Sequence, residues 1–549
     1  MVIRRAGAVL LGMVLAAAPM NAASADGAHR ATVVRQTDLG GVRGLDQSRS
    51  TGTHSWLGIP YAEPPVGSLR WRAPVTHRPW DGVRDATAYG DGCAQQGRLF
   101  SPAPSGPHYG LDVRDGLGEP VGAEDCLTLN VFRPSTRTKD LPVIVFLHGG
   151  SNVVGYSADP MYDGRTLARR ADAVVVTVNY RLGVFGWLDL PGLKTGDPNG
   201  DSGNFGTLDQ IEALRFVHRN ASAFGGDASN VTVMGESAGA VDVWALMMSP
   251  LSRGLMDKAV PLSGGLKFAA PEQARTYAEA FLDDAVGAGK DRDEAVRRLR
   301  QMPADDVIRA QIRRGAVVGD PPAVIADGAV LPADHHAAIA TGRFRDVPVL
   351  AGNTFEEGKL FGSLIGAYRP TDYERFTRQY FFDPDRPSAF EVRDFITDRY
   401  LPADGPGGWD EAAGRLTDSI FTGIVHDSMN SMKEAGNRRL YYYQFGWNQE
   451  PAPFDTVYGA VHGMDLPFVF GTFDEGLFTF AFGRRNEPGR LELSKLMMDS
   501  IRVFVRTGSP QHHGLGARWG QWPRSVVFDA GDRGATARPG SADGPARLP

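Results

Sequence analysis

The chain is poor in cysteine: 549 residues carry only Cys93 and Cys126, which excludes a disulfide-built scaffold and a cysteine-rich zinc site. Basic charge shows no excess. Lys and Arg number 58 against 64 Asp and Glu, whereas a nucleic-acid binder needs a basic surplus or stripe. No apolar run is long enough to cross a membrane; the greasy stretch Ala6 to Ala18 is about 13 residues, short of the ~20 a spanning helix requires. Tandem repeats and Ser/Gly linkers are missing from the middle of the chain. The 67 Gly and 37 Pro follow no triplet period, which excludes collagen and leaves many turns. What is present is ordinary globular usage, 42% apolar and 22% charged, in a chain long enough to bury a large core.

Met1 to Ala25 reads as an export signal. Arg4 and Arg5 precede the apolar run, and Ala23-Ser24-Ala25 supplies the small-x-small ending before Asp26. The protein is therefore expected to be secreted, with residues 26–530 as one folded domain. The Gly-, Ala-, Arg- and Pro-rich stretch 531–549 is expected to be a frayed tail. In an oxidising compartment an even pair of cysteines is most simply one disulfide, here closing a loop of roughly 34 residues; two free thiols are the alternative.

Continuous β-branched runs at Val143–Leu147, Val174–Val178, Val231–Met234 and Val347–Leu350 predict strands buried on both faces, hence a mostly parallel sheet. Leu208, Ile211, Leu214 and Val217 recur at three-residue steps and predict a helix between the second and third of these strands. Charged, helix-rich stretches at Glu272–Arg314 and Arg369–Met432 read as insertions on the sheet scaffold.

Gly235-Glu236-Ser237-Ala238-Gly239 is a G-x-S-x-G pentapeptide between a predicted strand and a segment of helical spacing. That context predicts a sharp elbow exposing the Ser237 hydroxyl above a helix N-terminus, where developing negative charge is favoured. A nucleophilic serine needs amide donors for an oxyanion. His148-Gly149-Gly150-Ser151, directly after a strand, predicts such a loop, with the amides of Gly150, Ser151 and Ala238 as donors. Because backbone N–H groups do this work, Ser151 can stand where a third glycine is common. Asn152 and Val153 are placed toward the acyl side of the substrate.

With these motifs in view, the sequence resembles the type-B carboxylesterase family of α/β-hydrolases. Similar segments run from about Gly41 to Trp522, among them Leu57 to Gly67, Glu124 to Asn130, Asn179-Tyr180-Arg181, Gly203 to Gln210 and Phe224 to Asp227. The resemblance implies an α/β-hydrolase fold: a mostly parallel central sheet, helices on both faces and helical insertions. It also implies a Cys93–Cys126 disulfide and an Arg70–Glu124 ion pair bracing the same region. The family orders its catalytic groups Ser, acid, His. The acid then falls on Glu357, since the family's acid directly precedes Gly, with Glu356 the neighbouring candidate; the base falls on His462. Glu236 and Ser263 read either as groups beside this triad or as ordinary packed polar residues.

These residues predict a serine carboxylic-ester hydrolase working through an acyl-enzyme. It would take a small-molecule ester and water, need no cofactor or metal, bind no nucleic acid and have no membrane span. Activity is expected to fall as pH drops through an ordinary imidazole pKa. A choline ester is not expected, because the Cys93–Cys126 loop lacks the family's tryptophan and Leu360 stands where cholinesterases carry an aromatic. The rival readings are a non-catalytic, neuroligin-like binding protein on the same fold, and a lipase, lactonase or amidase specialist. Ser237, Glu357 and His462 are all present, which speaks against the first.

Overall fold

The computed structural model describes residues 31–315 and 323–541. The Met1–Ala25 signal reading lies outside them, as does 542–549 of the expected tail. One 13-stranded sheet organises the molecule. Its strands are β1 (Thr32–Thr37), β2 (Gly40–Gln47), β3 (Thr53–Pro60), β4 (Val83–Asp85), β5 (Thr128–Pro134), β6 (Leu141–Leu147) and β7 (Val174–Val178). They continue with β8 (Gly226–Glu236), β9 (Lys258–Leu262), β10 (Val349–Thr354), β11 (Leu440–Phe445), β12 (Arg524–Ala530) and β13 (Ala535–Ser541). The order is β1-β2-β3-β5-β7-β6-β8-β9-β10-β11-β12-β13, with β4 beside β2. From β7 through β12 every neighbouring pair is parallel. Antiparallel strands extend the sheet on both sides.

The parallel strands are apolar on both faces because both are covered. Every residue of β6, β7, β9, β10 and β11 is buried. At ~1.5–3 kcal/mol per fully buried large apolar side chain, this block contributes a large share of the driving force for folding. Two helices matter for the site: α1 (Phe205–Asn220) and α2 (Ala238–Met248), the latter buried along most of its length. The expected insertions are helical, at Pro271–Val286, Arg292–Gln301 and Ala304–Arg314, and again at Asp372–Tyr380, Trp409–Leu416 and Gly423–Glu434. Among the described residues no helix is long and apolar enough to cross a membrane.

The Cys93–Cys126 disulfide is formed. Beside it Arg70 Nε donates to Glu124 Oε1 at 2.6 Å, and its Nη1 donates to the carbonyls of Arg300 and Met302, tying this loop to the inserted helices. One expectation is corrected. The tail is not loose from Gly531: residues 535–541 form β13, paired antiparallel along the whole of β12. Gly531 donates to the Gly534 carbonyl in the intervening turn, so a composition that favours no strand is drawn into one by the open edge of β12.

Candidate active site

Ser237 sits between the last residue of β8 and the first of α2, at φ 56° and ψ −121°. A non-glycine residue holds such a conformation only when its surroundings impose it. Here the Ser237 amide donates to the Leu262 carbonyl at 2.8 Å, and its own carbonyl accepts from the amides of Ala240 and Val241. Both glycines of the motif are required by contact. A Cβ on Gly235 would lie 2.3 Å from the Gly239 carbonyl oxygen, and one on Gly239 would lie 2.2 Å from that of Leu147.

The loop after β6 closes on this elbow: a Cβ on Gly149 would meet Ser237 Cβ at 2.9 Å. Ser151 and Asn152 are both left-handed, at φ 57° and 58°. Among the described residues the amides of Gly150, Ser151 and Ala238 donate to no other protein group. Asn152 departs from its expected place. It is buried, and its amide turns to the Asp242 carboxylate of α2 rather than toward a substrate. Val153 is likewise buried.

Glu357 follows β10 and is fully buried. Its Oε1 accepts from Ser263 Oγ at 2.7 Å, Asn353 Nδ2 at 2.9 Å and the Thr354 amide at 2.9 Å. Its Oε2 accepts from His462 Nδ1 at 2.5 Å. Burial alone would raise this carboxyl, but the His462 charge and the donors around it hold it below the ordinary range. Glu356 has a different part: its Oε2 accepts from the Ala460 amide at 2.8 Å and its Oε1 lies 2.6 Å from Lys359 Nζ, so it straps the segment leading to His462. Phe361 and Phe421 flank the imidazole, with ring centroids 5.1 and 4.6 Å away. Phe421 is carried by a π-helical turn, Thr417–Thr422.

Of the two readings left open for Glu236, the structure favours the one beside His462. Its Oε1 stands 3.1 Å from His462 Nε2, and in this conformation Nε2 is not hydrogen-bonded to the Ser237 hydroxyl. Burial pushes Glu236 up to about 8, against the pull of the His462 charge. Burial would lower His462, but carboxylates at both ring nitrogens, Glu236 and Glu357, override it and raise the imidazole to about 9. The direction of this shift is upward from the ordinary imidazole value expected from the sequence. Behind the ring, Tyr443 donates to Asp465 at 2.6 Å, and burial pushes Asp465 up to about 6. Among the described residues no three His, Cys, Asp or Glu side chains converge as metal ligands.

The elements bring together a partly open serine on a strained elbow and an imidazole with carboxylates at both ring nitrogens. With three amides that have no protein acceptor among the described residues, these are groups of the kind used in acyl transfer. Comparison with known proteins points the same way. A model of the carboxylesterase family matches residues 31–528. The para-nitrobenzyl esterase of Bacillus subtilis (strain 168) is 34% identical over 496 residues, 89% of this chain and 91% of that protein. The phenmedipham hydrolase of Pseudarthrobacter oxydans is 31% identical over 501 residues, 88% and 92% of the two chains. Among solved structures, a PNB esterase superposes with a TM-score of 0.73 at 32% identity, covering 92% of this chain and 97% of that one.

Proposed function

Since the chain belongs to the carboxylesterase family and is a carboxylic ester hydrolase, we propose that it cleaves its substrates through a covalent acyl intermediate on Ser237. His462 serves as general base and acid, and Glu357 as its orienting carboxylate. The observation that carries this reading is the His462–Glu357 hydrogen bond held beside the strained Ser237 elbow.

The steps follow from the residues. His462 Nε2 leaves Glu236 and takes the Ser237 proton as Oγ bonds to the ester carbonyl carbon. The carbonyl oxygen becomes an oxyanion held by the amides of Gly150, Ser151 and Ala238, where each donor is worth about 3 kcal/mol. The C–O bond to the alcohol then breaks, and the imidazolium returns its proton to the departing alkoxide. Water repeats the sequence: its proton passes to Nε2, its oxygen attacks the acyl carbon, and the proton ends on Ser237 Oγ as the acid leaves. Glu357 keeps Nδ1 protonated throughout, leaving Nε2 as the lone pair that accepts. A fluorophosphonate probe tests the nucleophile: one equivalent should attach to Ser237, and absence of labelling would overturn the acyl-enzyme route.

The pH profile carries a second test. Only the neutral imidazole accepts the serine proton, and the folded protein holds it protonated above the ordinary value. Log(kcat/KM) should therefore rise with pH through a midpoint above about 6.5, reflecting the coupled Glu236–His462 pair. Removing the Glu236 charge in Glu236→Gln should move that midpoint down. A wild-type midpoint at or below about 6.5, or one unmoved by the variant, would contradict this electrostatic account.

Export belongs to the same proposal. It is supported by the Ala23-Ser24-Ala25 ending and by a disulfide of the kind that persists in oxidising compartments. Protein recovered from the medium should begin near Asp26; a chain starting at Met1 would refute cleavage.

A further inference from the structure

Asp242 lies on α2, five residues beyond Ser237, and is fully buried. Its Oδ1 accepts from Asn152 Nδ2 at 3.1 Å, and its Oδ2 accepts from Gln210 Nε2 of α1 at 2.6 Å. Among the described residues it forms no ion pair with a cationic side chain, so burial pushes it up to about 7, against the pull of the Asn152 and Gln210 amide donors. Asn152 is equally constrained. Its backbone carbonyl accepts from the Gly183 amide at 2.7 Å, and its side chain reaches across to α2.

The two ends of this contact belong to the two halves of the donor set. Asn152 follows Gly150 and Ser151, whose peptide planes must face one point in space. Asp242 shares its helix with Ala238, the third donor. Ser151 and Asn152 are consecutive left-handed residues, a conformation unfavourable for L side chains and prone to relax unless clamped. We propose that Asn152 and Asp242 are positioning residues, whose buried hydrogen bond fixes the Gly150 and Ser151 amides relative to Ala238 and so sets the geometry of the oxyanion site. Neither touches the reacting atoms. This inference rests on the acyl-enzyme reading of Ser237.

Asn152→Gly separates the clamp from backbone strain, because glycine adopts φ 58° freely while losing the side-chain anchor. On a p-nitrophenyl ester, kcat is expected to fall by about 10- to 100-fold with KM within about threefold. The inhibition constant of a trifluoromethyl ketone, whose hemiketal oxygen occupies the oxyanion site, should rise by the same factor. The melting temperature should fall by no more than a few degrees, the cost of one lost donor to Asp242. A second route uses a swap. Asn152→Asp sets two carboxylates face to face and should lose activity. Adding Asp242→Asn restores one donor and one acceptor across the contact, leaves an oxygen for Gln210 Nε2, and should recover kcat to within about fivefold. Wild-type kcat and ketone affinity in Asn152→Gly, a loss confined to KM or melting temperature, or no recovery in the swap would each overturn the proposal. Complete fluorophosphonate labelling of the variants would show that such a failure concerns this clamp alone. Failure of the wild type to label would instead remove the acyl-enzyme reading, and this inference with it.

Discussion

Ser237→Ala should reduce kcat/KM for a small p-nitrophenyl ester by at least about 10⁴-fold while the protein melts within a few degrees of wild type. The chemical part of this expectation is simple: alanine has no hydroxyl on which the acyl chain could be carried. The structural part is specific to the elbow. The conformation at φ 56° is imposed by the Leu262 carbonyl on one side and the Ala240 and Val241 amides on the other, all of them main-chain bonds that alanine keeps. Alanine is no worse placed there than serine, so the fold should survive. The amides of Gly150, Ser151 and Ala238 also survive, so a small residual rate is expected from the oxyanion site. Activity above about one hundredth of wild type would mean that another nucleophile is at work.

Glu357→Gln should cost about 10⁴-fold in kcat, nearly as much, although it removes no reacting atom. Three donors converge on Glu357 Oε1: the Ser263 hydroxyl, the Asn353 amide and the Thr354 N–H. A glutamine must turn its oxygen toward them, which points its NH₂ at His462 Nδ1. The ring then accepts at Nδ1 and carries its proton on Nε2, the tautomer that cannot deprotonate a serine. The charge that stabilises the imidazolium is lost as well. KM should change little, since the carboxylate does not reach the substrate. A loss smaller than about tenfold would show that Glu357 does not set the tautomer.

The parts of the molecule that could be read from the sequence are those whose signals are local. β6, β7 and the Val231–Met234 part of β8 are buried runs rich in β-branched residues, and the Ser237 elbow announces itself through glycines that the Leu147 and Gly239 carbonyls leave no room to replace. The N-terminal strands were not legible: β2 is Gly-rich, β1 alternates only partly, and their pairing follows from the sheet edge they join. Glu357 and His462 are 105 residues apart, and resemblance to a family, not spacing, brought them together in the reading. The Glu236 carboxylate at Nε2 and the Asn152–Asp242 contact are tertiary events with no sequence period. Asp242 did leave one trace, as the lone acid in the otherwise apolar helix α2.

The outermost strand, β13, bears on how the protein behaves when crowded. Pro539 lacks an amide hydrogen, Arg538 adds a charge, and every side chain of the strand is at least partly open to solvent. A neighbouring molecule finds there an interrupted, hydrated border instead of a row of free donors and acceptors. Sheet growth stops at this rim, and the apolar β12 beneath it is withheld from the stitching of one molecule to the next that begins fibrous aggregates.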